Sequence, residues 1–245
     1  MGGDGMIYVI GKNGYIASNL IPYLKSKGHE VLGLGKKDND LDNEFSGGEG
    51  DVMINCAGYG AKKGQTDIEI MAWCNNVFPM MWSEWVNIKN CKFIHLSSSS
   101  EIFQPTTAYA RTKSLTSDYL RGKATLIYIY TAYGGINQHE HMFMTQLLKA
   151  KKEGKMFQLD TPYATRDFVH IKRICEGIEK LIHEPIQEVH FGHGKARRMF
   201  SVAKKVMDYK YEWSGGQGEQ PEWKAANPYF TDTFEEDLQE ELCAL

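Results

Sequence analysis

Tyr109 and Lys113 stand four residues apart in Tyr109-Ala-Arg-Thr-Lys113, the spacing that puts two side chains on one face of a helix. An ammonium beside a phenol stabilises the phenolate and draws the tyrosine toward the range useful for proton transfer at neutral pH. Just upstream, four consecutive serines, Ser97 to Ser100, lead into Glu101-Ile-Phe103 and offer hydroxyls that can hydrogen-bond a carbonyl or an alcohol. Phenol, ammonium and hydroxyl together are equipment for moving a proton on or off an oxygen. Taken alone, the Tyr-Lys spacing also suits a solvated helical pair.

A second candidate site opens the chain. Ile7-Tyr-Val-Ile10 runs into Gly11-Lys-Asn-Gly14-Tyr-Ile-Ala17. Glycine is wanted where a strand-to-helix turn bends sharply and approaches a pyrophosphate, and a small residue where the helix meets the strand. At the end of the next strand, Leu32-Gly-Leu-Gly35 carries no acid, and Lys36 and Lys37 follow. A carboxylate there would bind a ribose 2′-hydroxyl and reject a 2′-phosphate; lysines welcome the phosphate. NADP(H) is therefore the favoured cofactor and NAD(H) the other candidate, while a solvated Lys-Lys-Asp turn is the plainer reading of the same residues.

The elements that must position these residues follow from periodicity. Strands are predicted at 7–10, 30–34, 52–56, 92–96 and 125–130, and helices at 15–27, 67–88 and 108–121. Pro22 lies inside the first helix, where it invites a kink. Repeated strand-helix-strand units predict an α/β fold, a Rossmann-like doubly wound parallel sheet. Beyond Tyr133-Gly-Gly135 the texture changes, with helices predicted at 142–152, 171–183 and 200–208, strands at 156–159 and 188–191, and a glycine-rich loop at 212–221. The expected division is a dinucleotide-binding domain over 1–135 and a small C-terminal substrate-binding lobe over 136–245, with some elements returned to the main sheet.

Together these segments resemble the extended short-chain dehydrogenase/reductase superfamily, in its NAD(P)-dependent nucleotide-sugar epimerase/dehydratase/reductase branch. The resemblance spans nearly the whole chain: the glycine turn, Asp51-Val-Met-Ile-Asn-Cys-Ala-Gly58, Asn76-Val77, Phe93 to Phe103, Tyr109-x-x-x-Lys113, Tyr133-Gly134, Arg166-Asp-Phe-Val-His170 and Phe191-Gly-His-Gly194. It implies that a hydroxyl four residues before the aromatic closing the serine motif binds the reacting sugar oxygen. Counting back from Phe103 gives Ser99, with Ser100 beside it. It further implies that Tyr109 exchanges the proton and that Lys113 holds the nicotinamide ribose while tuning the phenol. Glu101 matches a carboxylate with which family dehydratases move protons beside a keto group, although members without that chemistry also carry a glutamate there. Gly11, Asn13, Gly14, Tyr15 and Ile16, then Ala57, Gly58 and Tyr59, and finally Tyr133 match positions around the dinucleotide, the last at its nicotinamide end. Asp40-Leu41 resembles the pair that brackets adenine. Arg166 matches an arginine that clamps the substrate diphosphate; a salt bridge with Asp167 is the alternative.

The activity implied is hydride transfer between NADP(H) and a nucleotide-activated keto or deoxy sugar. A nucleotide-sugar epimerase or 4,6-dehydratase that recycles its NAD(P) internally is the second reading, and a non-catalytic NAD(P)-binding regulator the third. Departures from the family pattern fall on the substrate side. Ser99 and Tyr109 are only ten residues apart, Tyr128-Ile-Tyr130 replaces a strand that usually opens with arginine, and Lys172 and Arg173 stand where an aspartate is usual.

Composition narrows the partners. The 28 Lys and Arg against 31 Asp and Glu give a net charge of −3, which leaves no basic excess for coating nucleic acid. With 42% hydrophobic and 24% charged residues the chain is an ordinary globular one. No apolar run approaches the roughly 20 residues of a membrane span, and Met1-Gly-Gly-Asp-Gly5 is no secretion signal, so a cytoplasmic protein without membrane contact is expected. Five cysteines in no paired spacing indicate thiols. The pairs His139/His141 and His190/His193 have no third ligand at sensible spacing, so no metal is expected. Trp73, Phe78, Trp82 and Trp85 are too apolar for a solvated face, and predict core or a homodimer contact through the helices at 66–88 and 108–121.

Overall fold

A computed structural model describes residues 5–35, 47–62, 64–208, 211–213 and 222–245. Its strands are β1 (Ile7–Ile10), β2 (Val31–Leu34), β3 (Val52–Asn55), β4 (Lys92–Ser98), β5 (Thr125–Ile129), β6 (Thr131–Tyr133), β7 (Phe157–Leu159), β8 (Thr165–Arg166), β9 (Phe168–His170), β10 (Glu188–Phe191), β11 (Arg197–Arg198) and β12 (Tyr211–Trp213). Its α-helices are α1 (Tyr15–Ser26), α2 (Ile68–Ala72), α3 (Phe78–Ile88), α4 (Ser100–Phe103), α5 (Ala108–Leu120), α6 (Phe143–Glu153), α7 (Ile171–His183), α8 (Met199–Met207) and α9 (Phe234–Cys243). A π-helical turn, Trp73–Val77, joins α2 to α3.

Short, continuously apolar strands need cover on both sides, and the main sheet receives it. Its order is β10-β5-β4-β3-β1-β2, with β2, β1, β3, β4 and β5 mutually parallel. Tyr8, Ile10, Met53, Phe93, Leu126 and Tyr128 pack on one face against Val86 of α3 and Leu120 of α5. The alternate residues Val9, Ile54, Ile94 and Ile127 are equally buried on the other. Each such side chain contributes about 1.5–3 kcal/mol by leaving water. This is the Rossmann-like doubly wound α/β arrangement that the periodicity predicts. Helix α1 continues through Pro22.

The chain forms two compact units, one of residues 1–129 with 175–189, the other of residues 130–174 with 190–245. The segment 175–189 thus returns to the unit that holds the sheet. Lys92, opening β4, donates its ammonium to the carbonyls of Leu181 and Ile182 and so caps the end of α7.

The second unit has its own core, with Tyr133, Phe157, Phe168, Val202, Phe234 and Leu238 packed between α6, α8 and α9. Helix α9 is absent from the periodicity reading. It explains the departure at Lys172 and Arg173, because Arg173 Nε donates to Asp237 Oδ1 at 3.1 Å and Lys172 Nζ lies 3.1 Å from Glu240 Oε2. No helix among the described residues is long and apolar enough to cross a membrane.

Asp167 organises the loops of this unit. Fully buried, it accepts hydrogen bonds from the backbone N–H groups of His193 (3.0 Å), Gly194 (2.8 Å) and Ala225 (3.1 Å). Asp167→Ala would leave three inward-facing donors without an acceptor, at about 1–3 kcal/mol for each. The variant is expected to lose about 3 kcal/mol or more in urea unfolding; a loss below about 1 kcal/mol would contradict this account.

Candidate active site

Strand β1 ends at the glycine turn. Gly11 has φ +85°, and a Cβ there would come within 2.9 Å of the Ala57 backbone nitrogen, so only glycine lets the two loops approach. Gly14 is the N-cap of α1 with no side chain capping it, and no acid lies in the first turn. Exposed Asn13 and half-buried Tyr15 and Ile16 surround that helix end, which is open to an anion. Lys12, which the sequence reading left out, sends its stem across β2. A Cβ on Gly33 would lie 3.0 Å from Lys12 Cβ and 3.6 Å from Lys12 Cδ. The clue was available in its position inside the turn. Lys36, Lys37, Asp40 and Leu41 lie outside the described residues.

The next loop, Cys56 to Gly60, is held by an unusual piece of helix. Pro79 has no N–H for the carbonyl of Asn75, four residues earlier, and its ring crowds that carbonyl. The chain responds with the π-helical turn, and the Thr116 hydroxyl of α5 donates to the Asn75 carbonyl in place of the missing amide. Two successive side chains then serve the site. Asn75 accepts from Tyr59 N at 2.9 Å and donates to Tyr59 O at 2.8 Å and Thr112 Oγ1 at 3.0 Å, while Asn76 donates to Thr116 Oγ1 at 2.9 Å. Sequence reading noted Asn76-Val77 and missed Asn75.

Strand β4 runs to Ser98, two residues further than its apolar pattern predicts. This moves the edge of the sheet and with it the hydroxyl that meets the phenol. The Ser98 hydroxyl acts on the Tyr109 phenol as a hydrogen-bonding neighbour, beside the expected Ser99. Ser99 is buried, with its N–H donated to Ile129 O at 3.0 Å, and it caps the short helix α4. Ser100 is half-buried in the first turn of α4, where its N–H donates to Ser98 Oγ at 3.2 Å.

Helix α5 begins at Thr107, whose hydroxyl accepts from Ala110 N. Tyr109 and Lys113 share its inner face as predicted. Lys113, only 3% exposed, donates to the Leu96 carbonyl at 2.9 Å. Gly58 lies against it, since a Cβ there would stand 3.7 Å from Lys113 Nζ. Gly60, with φ +104°, passes so close to Tyr109 that a Cβ would reach its ring carbon Cδ2 at 3.0 Å. The loop holding Ala57, Gly58 and Tyr59, the hydroxyl of Ser98, and the Tyr109/Lys113 pair are thus one constellation. Glycines at the points of contact leave a cradle that a Cβ would fill, which fits a dinucleotide laid along the strand ends.

Burial sets the electrostatics. It pushes the Tyr109 phenol up, with the Ser98 hydrogen bond opposing, and draws Lys113 down to about 8, with Glu101 and Cys56 opposing. It also raises the Cys56 thiol and holds His95 well below the usual histidine range, an effect the Lys113 charge reinforces. His95 Nδ1 faces the amide nitrogen of Asn55 at 3.1 Å, because Asn55 Oδ1 is occupied by Ala57 N; the proton of this neutral ring is therefore on Nε2. Glu101 turns inward, its Oε1 accepting from Ser97 and, at 2.9 Å, from Ser117.

Two expected residues lie in the second unit. Tyr133 has no exposed surface, and its ring packs among Phe168, His170 and Phe234. Its side chain belongs to the core of the second unit. Arg166 has no carboxylate partner among the described residues, because Asp167 is committed to the loops. Its guanidinium stacks on the Trp223 ring at 4.0 Å and donates to Thr165 O at 2.7 Å. Burial draws its pKa down.

A lysine that holds its proton less tightly folded than unfolded makes stability rise with pH. Between about 8, where folded Lys113 titrates, and the roughly 10.4 of a free lysine, the unfolded chain binds a proton that the folded one has shed. Lys113→Met is expected to abolish this contribution, so the unfolding free energy of the wild type should rise relative to that of the variant from pH 8 to 10. A constant difference over that range would contradict the burial argument.

Comparison with known proteins agrees with this geometry. The NAD dependent epimerase/dehydratase family model matches residues 7–194. No curated protein matches the chain significantly. Solved structures share the fold at low identity. A UDP-N-acetylglucosamine 4-epimerase from Methanobrevibacter ruminantium, in complex with UDP-N-acetylmuramic acid, is 15% identical with a TM-score of 0.81, covering 98% of this chain and 97% of its own. A dTDP-4-dehydrorhamnose reductase from Bacillus anthracis in complex with NADP is 14% identical with a TM-score of 0.78, covering 99% and 100%. A dTDP-glucose 4,6-dehydratase from the same organism, in complex with NAD, is 16% identical with a TM-score of 0.75, covering 98% and 96%. With the glycine turn, the Ser-Tyr-Lys constellation and the parallel sheet in one chain, this protein belongs to the NAD dependent epimerase/dehydratase family.

Proposed function

We propose that the chain is an NADP(H)-dependent reductase of a keto group on a nucleotide-activated sugar. The observation that carries this reading is the end of β2, where Leu32-Gly-Leu-Gly35 has no carboxylate to bind a ribose 2′-hydroxyl and the Lys12 stem lies across Gly33. Lys36 and Lys37 follow in the sequence. Lysines at this strand end favour a 2′-phosphate over a bare 2′-hydroxyl.

Gly11, Gly14 and the first turn of α1 would hold the pyrophosphate, and Gly58 and Lys113 the nicotinamide ribose. A bound nicotinamide supplies the hydride. Tyr109 donates its proton to the sugar oxygen, Lys113 stabilises the phenolate left behind, and Ser98 takes the hydrogen-bonding role first assigned to Ser99. Arg166, stacked on Trp223 and without an acidic partner among the described residues, is the clamp for the nucleoside diphosphate. Glu101 is tied to Ser97 and Ser117, which argues against the proton abstraction that a dehydratase requires. All five cysteines are free thiols, in keeping with a cytoplasmic setting.

The homodimer surface belongs to the same proposal. Trp73, Val77, Met81 and Trp85 recur every four residues and are 52%, 41%, 60% and 36% exposed, and Leu115 and Tyr119 on α5 are 61% and 37% exposed. An apolar strip of this kind suits a self-complementary contact. Met81→Glu combined with Leu115→Glu should give monomers in sedimentation velocity; an unchanged sedimentation coefficient would remove this face from the interface.

The enzymatic test follows nicotinamide absorbance while NADPH or NADH is offered with a panel of keto-deoxy nucleotide sugars. Stoichiometric consumption, faster with NADPH, is expected. Sugar conversion without net consumption would replace the reductase by an epimerase or dehydratase, and binding without turnover by a regulator. Tyr109→Phe should lower kcat by about 100-fold or more, the scale of one general acid, with cofactor affinity retained.

A further inference from the structure

We infer that Glu101 is a positioning residue for Lys113: its inward carboxylate, tied to β4 through Ser97 and to α5 through Ser117, is the counter-charge that holds the buried ammonium in place, and it is not a base acting on the sugar. The inference rests on the role of Lys113 in holding the cofactor.

An ammonium with 3% exposure and a neutral carbonyl at 2.9 Å is poorly compensated by that hydrogen bond alone. The titratable groups that face it come from four elements. Cys56 after β3 is a thiol that burial keeps protonated, His95 on β4 is a neutral imidazole, and Tyr109 on its own helix is a phenol pushed up by burial. Glu101 on α4 is the carboxylate among the groups acting on Lys113, and the attraction runs both ways. Glu101 itself is faced by Tyr109 and by Tyr128 on β5, whose phenol also stays protonated; Glu188 and Arg121 act on Tyr128 from beyond.

The framework brings carboxylate and ammonium together without freedom to drift. Lys113 grips the carbonyl of Leu96, and the next residue, Ser97, donates its hydroxyl to Glu101 Oε1. Ser117 lies one helical turn beyond Lys113 on the same face of α5 and donates to that same oxygen at 2.9 Å. Two hydroxyl donors on one oxygen favour the ionised carboxylate and oppose the burial that raises its pKa. A carboxylate so engaged is withdrawn from chemistry at a sugar carbon.

NADPH binding, read by nicotinamide fluorescence between pH 6.5 and 9.5, tests this without knowledge of the sugar. Wild-type affinity should fall as Lys113 loses its proton, and Lys113→Met should remove that fall. Glu101→Gln should bring the fall to lower pH by about one unit or more, the effect of losing an opposite charge nearby, and Glu101→Asp should restore most of the wild-type midpoint. A Glu101→Gln midpoint equal to wild type overturns the inference, as does a Glu101→Gln enzyme that loses turnover at every pH with an unchanged binding profile. Should Glu101→Gln fail to fold, the Ser97→Ala/Ser117→Ala double variant, which frees the carboxylate, should move the midpoint the same way by less; an unmoved midpoint overturns the inference. Absence of NADPH and NADH binding in the wild type would instead strike the cofactor role of Lys113.

Discussion

The burial of one ammonium constrains the rest of the first unit. Lys113 cannot leave water without compensation, and the compensation fixes geometry. Its bond to the Leu96 carbonyl sets the register of α5 against β4. Tyr109 is carried on the same helical face, so locating Lys113 also locates the phenol, and the phenol meets Ser98 because β4 ends there. Gly58 can lie against the ammonium only if the loop after β3 stays close, and the loop stays close because Asn75 holds Tyr59 at both its N–H and its carbonyl.

A single proline supports that last link. With a donor at position 79 the helix from Ile68 onward could run as a regular α-helix, and adjacent asparagines would diverge by about 100° around its axis. Pro79 widens the turn, frees the Asn75 carbonyl for Thr116, and lets Asn75 and Asn76 both reach α5. The helix that flanks the sheet therefore also clamps the site. A π-helical turn sacrifices regular backbone hydrogen bonding, and here side-chain hydroxyls and amides replace what is lost.

How much of this was legible depended on how local each cause is. The glycine turn, the strand sequence and the Tyr109/Lys113 face are written within a few residues of one another, and periodicity reads such patterns well. Choosing among Ser97 to Ser100 was hard from sequence, because counting back from Phe103 ignores the short helix α4 and the two extra residues of β4, both of which depend on contacts with β5 and α5. Tyr133 looked like a site residue, yet the core it fills is built by Phe157, Phe168 and Phe234, which are remote in sequence. Helix α9 did leave a signal, with acids in its first turn and Phe234, Leu238 and Leu242 at four-residue steps. Its strongly acidic composition hid that stripe. The partners of Arg166 were illegible for a different reason. Adjacent opposite charges suggest a pair, but Asp167, in the break between β8 and β9, is needed by three amides.

The second unit shows why that distinction matters. Three of its arginines are partly or largely withdrawn from water, and two are matched by carboxylates. Arg197 meets both oxygens of Asp232 at 2.6 Å, and Arg173 meets fully buried Asp237. Their charges are satisfied within the fold, and Arg197 draws Asp232 down to about 2 together with Lys195, against the burial that acts the other way. Arg166, which pairs with Arg197 across the β8–β11 ladder, has an aromatic face and a carbonyl instead. An indole orients a guanidinium and excludes water from one side of it without neutralising it. Among the described residues, then, the fold supplies carboxylates for Arg173 and Arg197 and an aromatic ring for Arg166, which fixes the direction of that guanidinium by stacking rather than by ion pairing.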